Sequence, residues 1–483
     1  MPMSLDSNHC YEVIRARDAR FDGVFFVGVS TTGVYCRPVC TVRTPRRDRC
    51  SFYPNAAMAE AAGYRPCLRC RPELAPGHAS IDAVRRVAKA AVARIEAGAL
   101  NDGDMEDLAA EFDISSRQLR RVIETEYGVN PVALAQTRRL LLAKQLLTDT
   151  RLRVIDVAFA SGFASVRQFN RLFKQSYRLN PLALRKRALN YDGDGIVLKL
   201  GFRPPLAWHA LIHFLIGRAA SNTEAVIDNR YVRALRLGKH SGWIAAEPDA
   251  VHNVLRVEVA SSLLPVLPEL QTRLRRLFDL MANPVVIDRH LTSQRAFKSL
   301  VARTPGLRVP GAFHGFELAL RAVLGQQITV KAATTVYARF VDTFGGNVQT
   351  PFAGIDRVPP TASDIANATL QQLIDRGLTR KRAETISVLS RAAADGALKL
   401  DPPVEFADVR ETLHEIPGIG PWTSDYIAMR ALGDPDAFPH SDLGLLRALQ
   451  MKKPAMLLSA AEAWRPWRAY AALHLWNSLQ QGG

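Results

Sequence analysis

The hydrophobic positions over residues 80–188 follow a helical period, and the pattern occurs twice. Residues 126–134 (EYGVNPVAL) recur fifty residues later as residues 176–184 (SYRLNPLAL). Each copy predicts a short apolar helix, a tight turn and a second helix with a basic face, which is the spacing of a helix-turn-helix unit. The predicted turns lie at residues 112–114 and 161–163.

The second helix of each copy, predicted at residues 115–125 and 164–176, carries side chains suited to base edges. Equivalent positions hold an Arg-Gln pair and a further arginine: Arg117, Gln118 and Arg121 in the first copy, and Arg167, Gln168 and Arg171 in the second. A long helix over 131–147 would separate the copies so that both second helices enter successive major grooves. A helical bundle with solvated arginines is the alternative, which the duplicated Arg-Gln pair disfavours.

A second helical pattern near the C-terminus is interrupted by glycines. Residues 405–415 and 421–432 predict two helices joined by the hairpin 417–420 (PGIG). Glycines in the hairpin let backbone N–H groups approach a phosphate beside a helix N-terminus. About twenty residues later Asp442 precedes an apolar helix over 443–449, where helix N-cap is its ordinary role.

Between these two helical segments, alternating runs predict a small antiparallel sheet with two helices. The predicted strands are residues 196–200, 231–237, 243–246 and 254–259, and the predicted helices lie near 206–218 and 263–281. The composition changes at residues 190–195 (NYDGDG), which predicts a domain boundary there. This stretch by itself indicates no chemistry.

The 483 residues include 63 Lys+Arg against 46 Asp+Glu, a net charge of +17. The excess is concentrated in residues 1–190, where 30 basic and 19 acidic residues give +11. It favours nucleic acid over a membrane surface as partner, because the longest apolar stretch, residues 206–217, is too short to span a bilayer. The first residues lack the apolar segment of a secretory signal, so we expect a cytoplasmic protein without structural disulfides.

All six cysteines lie before residue 71, and four of them form the close pairs Cys36/Cys40 and Cys67/Cys70. Paired thiolates at these spacings suit one tetrahedral zinc ion, whereas free buried thiols or a purely structural zinc are the alternatives. Cys10 and Cys50 fall outside the ligand pattern and receive no role. Eight arginines near the pairs would hold a phosphate backbone beside the metal: Arg37, Arg43, Arg46, Arg47, Arg49, Arg65, Arg69 and Arg71.

The motifs TTGVYCRPVC and RPCLRC around these cysteines resemble the N-terminal domain of the Ada adaptive-response family. The resemblance implies that Cys36 takes a methyl group from a methylated DNA phosphate, with Cys40, Cys67 and Cys70 as the other zinc ligands. Methylation would turn a thiolate into a neutral thioether, so the centre would repel phosphate less and bind DNA more tightly.

The duplicated helix-turn-helix resembles the AraC-type DNA-binding domain, which follows the zinc domain in the Ada family. Ada proteins can end in a methyltransferase domain with a Pro-Cys-His-Arg motif. No cysteine follows Cys70 here, which excludes suicidal O6-alkylguanine repair.

Four later segments resemble the AlkA-type 3-methyladenine glycosylases of the helix-hairpin-helix DNA glycosylase superfamily: LGQQI at 324–328, IPGIGPWT at 416–423, FPHSD at 438–442 and PWRAYAALHLW at 466–476. The resemblance extends back to about residue 195, so the predicted sheet would be a TBP-like subdomain. It implies that Asp442 is the catalytic carboxylate. A carboxylate near C1′ stabilises the oxocarbenium-like sugar that forms when the N-glycosidic bond breaks.

The same resemblance implies which side chains meet the DNA. A flipped, cationic alkylated purine would stack on an aromatic wall, with plain core packing as the alternative for each member: Trp422, Tyr426, Trp476 and, from the sheet region, Phe214. Gly418 and Gly420 would approach the backbone phosphate. Gln327 takes the position of the duplex wedge, where the family has leucine. Trp422 stands where bifunctional relatives have a lysine, which predicts hydrolysis without strand cleavage.

The sequence thus predicts a multidomain, mainly α protein with α+β parts. The expected domains are a zinc-binding methyl-acceptor domain at 1–76, an AraC-type double helix-turn-helix at 80–190, a TBP-like subdomain at 195–300 and an all-α helix-hairpin-helix glycosylase domain at 301–483. We expect a monofunctional glycosylase for bases such as 3-methyladenine, fused to a methylphosphotriester acceptor and transcriptional activator. We also expect one Zn²⁺ as cofactor. The expected partners are alkylated and promoter double-stranded DNA and RNA polymerase, and we expect a monomer without membrane association.

Two alternatives stay open at this point. The chain could be a regulator whose glycosylase domain is an inactive DNA clamp. It could also be a glycosylase whose N-terminal half only tethers it to DNA.

Overall fold

A computed structural model of the chain describes residues 6–75, 86–112, 114–187, 196–402, 404 and 406–481. Contact density divides the chain into two compact units, one of residues 1–203 and 248–272 and the other of residues 204–247 and 273–483. The predicted boundary loop at 190–195 lies outside the described residues, as do residue 113 of a predicted turn and residue 405 of a predicted helix.

The first unit begins with a small sheet that supports the cysteine pairs. Its elements are α1 Ser7–Ala16, β1 Phe26–Val29, β2 Val34–Cys36, β3 Cys50–Tyr53, α2 Ala56–Ala61 and β4 Arg65–Pro66. The strand order is β3–β1–β2–β4, in which β1 is antiparallel to both neighbours and β2 is parallel to β4. Cys10 and Cys50 are buried in the hydrophobic core beside Val13, Phe25 and Val27. Their role is therefore packing.

The helix-turn-helix segment of the first unit follows the duplicated sequence pattern. Its helices are α3 Arg86–Glu96, α4 Ala99–Asp102, α5 Met105–Ala110, α6 Ser116–Tyr127, α7 Pro131–Asp149, α8 Val154–Ala160, α9 Val166–Tyr177 and α10 Pro181–Arg187. Helix α6 ends at Gly128, whose φ of 71° is left-handed. Helix α7 begins at Pro131, after Asn130 has capped it by accepting the Ala133 N–H at 2.8 Å.

The predicted strands form, with bounds close to those expected from the alternating pattern. In the first unit β5 Ile196–Gly201 pairs antiparallel with β9 Val254–Val259. An antiparallel meander follows α11 Trp208–Ile216 and consists of β6 Glu224–Ile227, β7 Arg230–Leu237 and β8 His240–Asp249. It belongs to the second unit up to residue 247. Strand β6 and the four short strands around the cysteines were missed by the sequence pattern.

The remaining elements are mostly helices: α12 Leu267–Leu277, α13 Pro284–Thr292, α14 Lys298–Arg303, α15 Gly315–Leu324, α16 Val330–Phe344, β10 Gly346–Asn347, β11 Arg357–Val358, α17 Ala362–Ala366, α18 Leu370–Ile374, α19 Arg380–Ala394, α20 Phe406–Glu415, α21 Pro421–Ile427, α22 Leu443–Ala448, α23 Pro454–Ala461 and α24 Arg468–Gln481. The helix predicted over 421–432 is α-helical only to Ile427 and continues as a π-helix over Ala428–Leu432. The predicted fold class, multidomain and mainly helical with α+β parts, is confirmed.

Candidate functional site

The two cysteine pairs meet at one point in the first unit. Cys36 ends β2, and Cys67 follows β4, the parallel neighbour of β2. The Sγ atoms of Cys36, Cys40, Cys67 and Cys70 all lie within 4.8 Å of one another. A tetrahedral zinc with Zn–S bonds of about 2.3 Å places its sulfurs about 3.8 Å apart, a spacing that falls within this limit. These four cysteines are the ligands of one Zn²⁺.

The sulfurs share protons because they are so close together. Hydrogen bonding with Cys36 lowers the pKa of Cys40 to about 7 and also lowers the pKa of Cys67. Hydrogen bonding with Cys40 raises the pKa of Cys36. Hydrogen bonding within the cluster thus favours the thiolate at Cys40 and Cys67, and thiolate sulfur is the form that binds a divalent cation.

Two of the eight neighbouring arginines are committed to internal ion pairs. Arg37 donates its Nε–H to Asp22 at 2.8 Å and its Nη1–H to the Cys70 carbonyl at 3.2 Å. Arg71 donates to Asp149 of α7 at 2.8 Å and to Glu73 at 3.0 Å. These two guanidinium groups hold the cysteine loops, and the exposed arginines are those suited to a phosphate backbone: Arg43, Arg46, Arg49 and Arg69.

The candidate recognition helices α6 and α9 present their predicted side chains to solvent. Arg117 and Arg121 on α6, and Arg167 and Arg171 on α9, are exposed. Gln118 has a further task, because its Oε1 accepts the Ser115 backbone N–H at 3.1 Å and so completes a capping box at the start of α6.

An aromatic cluster forms in the second unit around the start of α21 and the end of α24. Trp422 and Tyr426 stack with ring centroids 5.3 Å apart and planes 6° apart. Trp476 meets Tyr426 edge-on at 6.3 Å. Phe214 stacks on Trp476 at 6.3 Å but is only 4% exposed, so it supports the cluster from the protein side. The structure brings all four predicted aromatic residues together.

Asp442 lies beside this cluster and accepts three N–H groups. The indole Nε1–H of Trp422 donates to Oδ2 at 2.9 Å, and that of Trp476 donates to Oδ1 at 2.9 Å. The Leu445 backbone N–H donates to Oδ1 at 3.0 Å, so Asp442 is also the N-cap of α22. Asp442 therefore both caps α22 and lies beside the aromatic cluster. The three donors fix the orientation of its carboxylate.

Two arginines near the cluster were missed by the sequence analysis. Arg430 is buried, donates its Nη1–H to the Tyr426 hydroxyl at 2.7 Å and lies 4.8 Å from the Phe214 ring centroid. Arg218 lies 3.7 Å from the same centroid. Burial raises the pKa of Tyr426. The positive charges of Arg430 and of other nearby arginines outweigh this effect, so the pKa of Tyr426 is lowered overall. Each arginine follows its aromatic partner by four residues, Arg430 within the helical segment that carries Tyr426 and Arg218 just after the end of α11. That spacing could have revealed both.

The glycine hairpin and the candidate wedge are tied together. Gly418 has a left-handed φ of 93°, and a Cβ there would lie 2.3 Å from the Thr385 Oγ1. Gln326 donates its Nε2–H groups to the Gly418 carbonyl at 2.9 Å and to the Thr423 hydroxyl at 3.0 Å. The next residue, Gln327, is exposed with φ at 55°. The position of the candidate wedge is thus set by bonds to the hairpin.

Four family models match consecutive parts of the chain. They are the metal binding domain of Ada at residues 9–73, a helix-turn-helix domain at 108–187, the AlkA N-terminal domain at 197–314 and the HhH-GPD superfamily base excision DNA repair protein at 320–455. Together they define a protein that joins a metal-binding and DNA-binding half to a base excision glycosylase half. This bears out the resemblances drawn from the sequence motifs.

A probable bifunctional transcriptional activator/DNA repair enzyme AlkA of Mycobacterium tuberculosis is 38% identical to the chain over 490 residues, covering 98% of this chain and 97% of the relative. The DNA-3-methyladenine glycosylase 2 of Escherichia coli is 35% identical and covers 57% of this chain and 95% of its own. The chain belongs to the AlkA family of bifunctional transcriptional activator/DNA repair enzymes.

The solved 3-methyladenine DNA-glycosylase from Archaeoglobus fulgidus matches the fold with a TM-score of 0.50 at 21% identity, covering 58% of this chain and 97% of its own. Among the described residues, no helix is both long and apolar enough to cross a membrane.

Proposed function

We propose that the chain is an alkylation-response protein with two chemistries and a promoter-binding segment. Its second unit is a monofunctional DNA glycosylase that excises alkylated bases such as 3-methyladenine. Its first unit is a zinc-cysteine methylphosphotriester acceptor and transcriptional activator. The observation that carries the glycosylase assignment is the Asp442 carboxylate, held by two indole N–H groups at the edge of the aromatic cluster.

In the proposed excision step, the flipped base stacks on the half-buried rings of Trp422 and Trp476. The C1′–N bond breaks, its electron pair leaves with the base, and the sugar becomes oxocarbenium-like. Asp442 stabilises that positive charge and orients a water molecule. The water oxygen forms the new C1′–O bond, and its proton passes through the Asp442 carboxylate to solvent. Because Trp422 occupies the place of a nucleophilic lysine, the product is an abasic site without strand cleavage.

Release of 3-methyladenine from alkylated DNA tests this assignment. Asp442→Asn keeps the size of the side chain but removes its charge, so we expect excision to slow on the order of 100-fold or more. Asp408→Asn, which changes an exposed carboxylate on α20, is the matched control and should keep the full rate. Equal release by wild type and Asp442→Asn would refute the role of Asp442. No release by either protein would favour the inactive DNA clamp.

For the first unit we propose that the Cys36 sulfur attacks the methyl carbon of a DNA methylphosphotriester. The S–C bond forms as the C–O bond breaks, and the phosphodiester leaves with the electron pair and its negative charge. Zinc held by Cys36, Cys40, Cys67 and Cys70 would keep the four sulfurs ionised at neutral pH. The reaction is stoichiometric, since the thioether product is not regenerated.

Mass spectrometry after incubation with methylphosphotriester DNA tests the acceptor. One added methyl group on Cys36 is expected, and Cys36→Ser should gain none. Cys50→Ser is the control, because Cys50 is buried in the core outside the sulfur cluster. An unmodified Cys36 in zinc-loaded protein would show that the zinc centre has only a structural role.

The exposed arginines of α6 and α9 support promoter binding as a proposal. The proposed readers are Arg117, Gln118 and Arg121 in the first copy and Arg167, Gln168 and Arg171 in the second. Arg121→Ala and Arg171→Ala should each weaken promoter binding by about 1–3 kcal/mol if they contact base edges. Arg153→Ala, an exposed arginine at the start of α8, should not. We further propose that the bound protein acts as a monomer and contacts RNA polymerase.

A further inference from the structure

Helix α7 belongs to the DNA-binding segment, yet two of its side chains reach the cysteine loops. Thr137 and Lys144 are seven residues apart, close to two helical turns, and therefore lie on the same face of α7. Thr137 is 7% exposed and Lys144 is 1% exposed. The face of α7 that carries them is thus buried.

Thr137 is linked through Glu60 of α2 to the strand that ends at Cys36. Its hydroxyl donates to Glu60 Oε2 at 2.7 Å, and Glu60 Oε1 accepts the Tyr35 hydroxyl at 3.0 Å. Tyr35 is fully buried and directly precedes Cys36 in β2. This chain of two hydrogen bonds fixes the end of the strand that holds Cys36.

Lys144 reaches the second cysteine pair directly. Its ammonium donates to the Cys67 carbonyl oxygen at 3.0 Å and to Glu73 Oε2 at 2.7 Å. Burial raises the pKa of Glu73, but the charges of Lys144 and Arg71 outweigh it and lower the pKa. A fully buried ammonium is tolerated only when its donors are paired in this way.

We propose that Lys144 and Thr137 are positioning residues for the zinc centre, so that α7 is the element that holds the two cysteine pairs in register for one metal ion. The Cys67 carbonyl is part of a ligand residue, and an ammonium bonded to it restricts the loop from Cys67 to Cys70. The zinc centre is therefore supported by a helix that also connects the two helix-turn-helix copies. Coupling between two sites is reciprocal. If α7 stabilises the zinc centre, a change in the zinc centre therefore alters the stability of α7 by the same coupling free energy.

Lys199 offers a matched control within the same charge network. Its ammonium lies 3.2 Å from Asp149 Oδ1, and Asp149 also binds Arg71. The Lys199 side chain is 27% exposed, and its ammonium pairs with the Asp149 carboxylate, whereas the Lys144 ammonium bonds to the Cys67 carbonyl. Lys144→Met and Lys199→Met remove the same charge from the same unit, and only the first removes a bond to a cysteine.

The test is the rate of zinc release from the full chain to a chromogenic chelator, with the Co²⁺-substituted protein as a spectroscopic readout. Lys144→Met should release zinc about 10- to 100-fold faster, because lost support for a ligand typically weakens metal binding by that factor. The thiolate-to-cobalt charge-transfer band should shift in intensity or position. Lys199→Met should match wild type in both measurements, and Lys144→Arg should restore slow release in part.

Two further variants keep the zinc-release test decisive if Lys144→Met does not fold. Lys144→Met combined with Glu73→Gln removes both buried charges, and Thr137→Val is isosteric and introduces no charge. If folded Lys144→Met or the double variant releases zinc at the wild-type rate, the role of Lys144 is overturned. If Lys199→Met accelerates zinc release equally, the effect comes from loss of charge in the whole ion-pair network, which also overturns the specific role of Lys144. If both Lys144 variants fail to fold, unchanged release by Thr137→Val overturns the proposal. None of these readouts requires methyl transfer, so failure of the acceptor chemistry is detected separately.

Discussion

At the scale of single residues, Asp442 depends on a neighbour with no side chain. A Cβ at Gly444 would lie 2.9 Å from Asp442 Oδ1 and 3.4 Å from the Trp476 indole. Because Oδ1 accepts both the Trp476 N–H and the Leu445 N–H, any displacement would loosen two of its three bonds. The glycine therefore keeps the space in which the carboxylate and the indole meet.

His474 gives the second unit a pH-dependent stability. It is 2% exposed, its ring nitrogens find no hydrogen-bond partner among the described residues, and burial lowers its pKa to about 4. The unfolded chain binds a proton near the ordinary pKa of 6.5, so between these values the unfolded state holds more protons than the folded state. Stability is full above pH 6.5 and falls as the pH is lowered towards 4, by up to about 1.4 kcal/mol per pH unit.

His474→Leu should reduce the slope by the contribution of His474 while leaving stability at pH 7 equal or higher. The remaining slope belongs to groups such as His314, whose pKa burial also lowers to about 4. The measurement is denaturant unfolding of the second unit at pH 7, 6, 5 and 4. The exposed His209 provides the control, because His209→Leu should keep the wild-type slope. An unchanged slope in His474→Leu would show that another group takes up the proton.

At the scale of elements, the two glycines of the hairpin are predicted to differ. Gly418 has a φ of 93° and no room for a Cβ beside Thr385. Gly420 has an extended φ of −96° and open space around the position of a Cβ. Gly418→Ala should therefore destabilise the second unit by about 1–3 kcal/mol through backbone strain and the clash with Thr385.

Gly420→Ala should leave the melting temperature almost unchanged. Its effect is expected in binding to abasic duplex DNA, because a methyl group there would stand between the hairpin N–H groups and a phosphate. Differential scanning calorimetry and a DNA-binding titration separate the two effects. Equal melting temperatures for the two variants would contradict the strain argument.

Long periodic elements were predictable because a buried helical stripe repeats every few residues. The helix predicted over 131–147 forms as Pro131–Asp149, and the strand predicted over 254–259 forms with the same bounds. The short strands around the cysteines were missed because two to four residues do not establish a period. The π-helix at Ala428–Leu432 has no sequence signature of its own, since its side chains are those of an ordinary helix.

At the scale of the whole molecule, the two proposed chemistries belong to different compact units. Asp442 and the aromatic cluster lie in the second unit, and the four cysteines lie in the first. Cys67→Ser combined with Cys70→Ser should abolish zinc binding and methyl transfer. Single-turnover base excision at saturating enzyme should stay within about twofold of wild type, because mutations at separate sites act additively.

The converse experiment uses Asp442→Asn, which should accept the methyl group on Cys36 at the wild-type rate. Mass spectrometry and the release assay on the same samples give both readouts. A loss of excision in the cysteine variant, with its second unit still folded, would reveal communication between the units.

The sequence by itself determined the family and the two cysteine pairs that suit one zinc ion, because these rest on residue types at fixed local spacings. The role of Asp442 followed only from the resemblance to the helix-hairpin-helix glycosylases, and it remains a proposal. The resemblance also indicated which aromatic residues accompany Asp442. Only the tertiary structure decided how each group is held. Arg37 and Arg71 bind carboxylates, Gln118 caps its own helix, and Lys144 bonds to Cys67 from 77 residues away. Such partners are set by packing between distant segments, and no local pattern in the chain encodes which buried charge will meet which.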